Sequence, residues 1–65
     1  MLKEVTRDNP ILRDFIEWNG WGPPTSQFQA QEFAFYKAES EQEADEMVEI
    51  LTRWMSGEIL FKIDP

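Results

Sequence analysis

Six carboxylates, Glu39, Glu41, Glu43, Asp45, Glu46 and Glu49, fall within the eleven residues 39–49, with no basic residue between them. Carboxylates this dense can hold a divalent cation, run acid–base chemistry, or offer a negative surface to a basic partner. The cation reading needs alternating ligands around a glycine turn, as in D-x-[DN]-x-[DN]-G, and no such loop occurs. Acid–base work needs a cleft that shifts one pKa, and a chain of 65 residues rarely encloses one. Histidine and cysteine are absent, which removes the commonest base and the commonest metal ligands. Ser26, Ser40 and Ser56 therefore lack a histidine to activate them. The three glycines are scattered and make no phosphate loop. No enzyme activity, cofactor or metal is expected. What remains is a surface that clamps an Arg/Lys-rich partner or imitates phosphate spacing. Its plain alternative is a solvated helix face with an acidic N-terminus.

The second feature is EWNGWGPPTS, residues 17–26. Trp18 and Trp21 straddle an Asn-Gly step, and Gly22-Pro23-Pro24 follows. The Asn-Gly reads as a helix stop and the Pro-Pro as a stiff, extended connector. One tryptophan is expected to pack over the preceding helix. The other is a candidate anchor, because Trp is enriched among interface hot spots. Phe33, Phe35 and Tyr36 on a strand could stack nucleic-acid bases. That mode needs a basic groove, and only Lys37 lies nearby, so core and sheet packing is the favoured reading.

The net charge of −7, from 6 basic and 13 acidic residues, argues against direct contact with nucleic acid or an anionic membrane. With 42% hydrophobic residues the chain is too apolar to be disordered. No apolar run approaches the ~18 residues of a membrane span. MLKEVTRDNP lacks the apolar region of a signal peptide. A cytoplasmic protein is the expectation.

Around these features the periodicities predict a small set of elements. Residues 1–8 read as a short strand around Leu2 to Val5, or an arm. Asn9-Pro10 is a helix start, and Ile11, Leu12, Phe15 and Ile16 form one apolar stripe. That helix covers about 10–18 and ends at Gly20. Gln27 to Ala38 is read as extended from about 29 to 38, with a bulge near Gln31-Glu32 to absorb a change of phase. The alternatives are two short strands, or a helical piece at Gln27–Glu32 before a strand. Ser40 and Glu43 form a capping box. The helix after it runs to about Ser56, with Ala44, Met47, Val48, Leu51, Trp54 and Met55 on one side. Residues 58–63 form a last strand, with Ile59, Phe61 and Ile63 on one face and Leu60 and Lys62 on the other.

These elements predict one small α+β domain over residues 1–65. It would hold a single layer of helices on a short sheet of two or three strands, in the order α-β(-β)-α-β. The strands at 33–38 and 58–63 would share the sheet.

Together they point to a small acidic binding protein acting by protein–protein contact. An inhibitor or adaptor of a host or cellular protein, of the kind made by phages and mobile elements, fits this character. Its contact residues would be Trp18, Trp21, Glu39, Glu41, Asp45, Glu46 and Glu49, facing a protein with a basic surface. Three alternatives stand beside it. One is a nucleic-acid mimic that blocks a DNA- or RNA-binding protein. Another is a homo-oligomeric accessory protein, with a homodimer through the apolar last strand or the Trp54–Met55 end of the second helix. The third is a small-ligand sensor with an aromatic pocket near Trp18, Trp21 or Trp54.

Overall fold

The computed structural model describes residues 4–20 and 22–62. Its elements are β1 (Glu4–Arg7), α1 (Pro10–Asn19), α2 (Gln27–Lys37), α3 (Glu41–Met55) and β2 (Ile59–Lys62). This is a small α+β fold, as the sequence predicts. Leu2, Lys3, Trp21 and Ile63 lie outside the described residues.

α1 begins where Asn9 sits. The Asn9 Oδ1 accepts from the amides of Ile11 and Leu12 at 2.9 and 3.2 Å, and Pro10 takes the first helical position. Two of the unpaired amides of the first turn are thereby satisfied. The helix stops at Gly20, whose φ of +70° is left-handed and suits glycine. The Gly20 amide closes the last turn onto the Ile16 carbonyl at 2.6 Å.

α3 is capped by Ser40, whose Oγ accepts from the Glu43 amide at 3.2 Å. Its first turn is acidic, with Glu41 and Glu43, and its last turn carries Arg53. Both placements match the helix dipole. Met47, Leu51 and Trp54 are buried on its inner side, with Ala44 and Val48 partly covered. Gly57, at φ +89°, turns the chain into β2.

The segment read as extended over 29–38 is instead the helix α2. Ser26 is its N-cap, accepting from the Gln29 amide at 3.3 Å. Ala30, Phe33 and Ala34 are its buried residues, which is helical spacing. Gln, Glu, Ala and Lys are good helix formers, and they supply most of QFQAQEFAFYK. The alternation of Phe33, Phe35 and their neighbours imitates a strand because this helix carries apolar residues on two sides.

The sheet changes accordingly. β2 pairs with β1, parallel, in the register Glu4↔Ile59, Val5↔Leu60, Thr6↔Phe61 and Arg7↔Lys62. The expected partner strand at 33–38 does not exist. The sheet has two strands, and all three helices lie between them in the chain. Ile59 is buried and Phe61 half-buried on the inner face, while Leu60 and Lys62 are exposed on the outer one.

One core joins these elements. Leu12 and Phe15 of α1, Ala30, Phe33 and Ala34 of α2, Met47, Leu51 and Trp54 of α3, and Ile59 of β2 form it. Phe15 lies at its centre, edge-on to Phe33 at 5.2 Å and to Trp54 at 6.2 Å between ring centroids. Burying a side chain such as Phe stabilises the fold by roughly 1.5–3 kcal/mol. Edge-to-face pairs add about 0.5–1.5 kcal/mol each. Without a disulfide, a domain this small depends on such aromatic packing.

Candidate functional site

The helical form of α2 puts its second apolar side in water. Phe28 is 73% exposed and Phe35 92% exposed. Seven residues apart, they lie within about 20° of each other around the helix and about 10 Å apart along it. They point opposite to the buried Ala30, Phe33 and Ala34. Glu32 stands between them, one turn from each. Tyr36 sits on the shoulder of this row, 67% exposed, with its ring stacked on Trp18 at 6.4 Å. The Lys37 ammonium lies 5.8 Å from the Tyr36 ring centroid.

Two shallow grooves border the row. At the corner where α2 meets α3, an open notch of about 260 Å³ has Ala34, Ala38 and Ala44 among its lining residues. Phe35, Glu39, Ser40 and Glu41 line the rest of it. Between the two helices further along, a groove of about 510 Å³ is lined by Gln27 and Gln31 of α2. Asp45, Val48, Glu49, Thr52 and Arg53 of α3 form its other wall.

The sequence-predicted residues distribute over this surface. Glu41, Asp45 and Glu49 recur every fourth residue and form one row along α3. Asp45 and Glu49 enter the inter-helix groove, and Glu39 and Glu41 enter the corner notch. Glu46 is exposed, about 100° round from Asp45 and one turn before Glu49. Trp18 is half-buried, packed on Phe15 at 5.7 Å and Phe33 at 5.4 Å. It belongs to the wall of the core and reaches the surface beside Tyr36. Trp21 lies outside the described residues.

Gln29 bridges the end of α1 and the residues just before α2. Its Nε2 donates to Asn19 Oδ1 at 3.2 Å, and its Oε1 accepts from the Thr25 amide at 3.0 Å. Pro24 is buried. Asn19, Thr25 and Gln29 thereby tie the end of α1 to the start of α2.

Sequence reasoning missed Phe28 and Phe35 as surface residues because it read α2 as extended. The available signal was Ala30, Phe33 and Ala34 at i, i+3 and i+4 after the cap Ser26, with Lys37 in the last turn.

Four further observations bear on the chemistry. The Thr52 Oγ1 is buried with no hydrogen-bond partner among the described residues. Among the same residues no group of three carboxylates is placed to hold a metal ion, and no helix is long and apolar enough to cross a membrane. Val5 and Leu60, paired in the register, are 52% and 45% exposed on the outer face of the sheet.

Comparison of the chain with protein-family models, with curated proteins and with solved structures returned no match.

Proposed function

We propose that this chain is a non-enzymatic binding protein that engages a protein partner through the outer face of α2. A small intracellular inhibitor or adaptor is the role that fits. The observation that carries this reading is the exposure of Phe28 and Phe35 at 73% and 92%. A lone exposed aromatic needs no explanation, but a row of them on one helix marks an interaction face. Phe35 contributes nothing to the core, so its size is accounted for by contact with something else. The carboxylates Glu32, Glu39 and Glu41 frame the row, and Asp45 and Glu49 continue the negative surface along α3.

The test is capture from a cell lysate with the wild-type chain and with Phe28→Ala/Phe35→Ala. A partner retained by the first and lost by the second supports the face, provided both give the same circular-dichroism spectrum. A partner retained equally by both contradicts it.

Phosphate imitation needs two carboxylate rows. Carboxylates on α3 alone would leave the exposed Phe28 and Phe35 unexplained, so the aromatic row and not mimicry is the basis of the proposal. A homodimer through the sheet is the second reading, favoured by the exposed Val5–Leu60 pair. Sedimentation of Leu60→Lys tests it: a dimer that dissolves supports the reading, and a wild-type monomer at micromolar concentration removes it.

A further inference from the structure

We infer that the outer face of α2 takes a basic amphipathic helix: a segment with apolar side chains two turns apart and Lys or Arg beside them. This rests on the docking reading above and names the chemistry of its partner.

The shape of the face sets the apolar requirement. Phe28 and Phe35 are spaced two turns apart, about 10 Å. Beside Phe35 lies the corner notch, with Ala34, Ala38 and Ala44 in its lining and about 260 Å³ of space. That is room for one aliphatic or aromatic side chain, set against methyl groups and the Phe35 ring. A helix laid along α2 can put one apolar residue in the notch and a second, two turns away, against Phe28.

Charge sets the rest. Residues 27–52 carry seven carboxylates and one basic residue, Lys37. Glu32 separates the two rings, and Glu39 and Glu41 rim the notch. All three are exposed. A cationic side chain flanking the buried apolar residue meets a carboxylate in each direction.

The same charges disfavour a second copy as the occupant. Pairing this face with itself about a two-fold axis would set Glu32, Glu39 and Glu41 of both copies into one contact, and like charges oppose docking.

The experiment titrates the full chain into two fluorescent synthetic helices of about 18 residues, five turns. Both carry Leu seven residues apart; one has Lys at the flanking positions and the other Glu. Anisotropy is read at low and high salt. The Lys helix is expected to bind, with affinity falling as salt rises. Phe35→Ala should weaken it at least about tenfold, as loss of a hot-spot aromatic does. Glu32→Lys/Glu39→Lys/Glu41→Lys should weaken the Lys helix and strengthen the Glu helix.

Equal binding of both helices without salt dependence would overturn the inferred chemistry and leave the docking face standing. Lys-helix binding that ignores both variants would place the site elsewhere and overturn the inference. Failure of both helices to bind, while Phe28→Ala/Phe35→Ala still loses its lysate partner, would assign the face to another class of partner and overturn the inference. A wild-type dimer that Phe35→Ala dissolves would make a second copy the occupant. Circular dichroism of each variant separates loss of binding from loss of fold.

Discussion

Phe33 and Phe35, two residues apart, face opposite ways: Phe33 is 0% exposed and Phe35 is 92% exposed. On a strand, residues i and i+2 share a face. On α2 they are about 200° apart. One ring closes the core against Phe15, and the other stands in water beside Glu39 and Glu41.

Truncating the two therefore has different consequences. Phe33→Ala should cost about 3–5 kcal/mol, a large fraction of the stability of so small a domain. Phe35→Ala should stay within about 0.5 kcal/mol of wild type, as surface changes do. Urea unfolding followed by tryptophan fluorescence reads both. Similar losses for the two would mean that the segment is not helical.

The ends of α1 make a second expectation. Asn9→Ala removes the acceptor of two amides and should cost about 1 kcal/mol. Gly20→Ala forces a Cβ into a left-handed backbone at φ +70° with nothing within 4 Å to obstruct it. Its penalty is conformational alone, about 1 kcal/mol, and Gly20→Asn should recover part of it. Thermal unfolding of the three variants checks the order.

Thr52 gives a test of polar burial. Its hydroxyl oxygen has no partner among the described residues, so Thr52→Val removes a desolvated group without emptying space. Stability should be unchanged or rise by up to about 1 kcal/mol. A loss of more than that would show that the hydroxyl is satisfied in solution.

Neutralising the α3 row separates binding from folding. Glu41→Gln/Asp45→Asn/Glu49→Gln should change stability by less than about 1 kcal/mol, since exposed charges contribute little and only Glu41 sits near the dipole. Its affinity for a basic helix should fall and lose much of its salt dependence. Unchanged affinity would exclude Glu41 at the notch rim and restrict the contact to the Phe28–Phe35 side of α2.

Much of the fold was legible because single residues act locally. Asn9-Pro10, Gly20, Ser40 and Gly57 mark helix ends by chemistry that needs no tertiary contact. The α3 stripe ending at Trp54 is periodic because one side alone is buried. α2 was not legible in the same way: with aromatics toward both core and solvent, its pattern loses the one-sided contrast that identifies an amphipathic helix. The pairing of β2 with β1 depends on chain ends far apart in sequence, which local spacing cannot show. Of the candidate surface, the acidic row was visible as composition. The aromatic row became visible only once α2 was known to be a helix.

Amide chemical-shift mapping on the 15N-labelled chain, titrated with the Lys-flanked synthetic helix, tests the docking face most directly. The largest shifts are predicted at Phe28, Glu32, Phe35, Glu39 and Glu41, with Val5 and Leu60 unmoved. Shifts concentrated on Val5, Leu60 and Lys62, or none at saturating peptide, would contradict docking on α2.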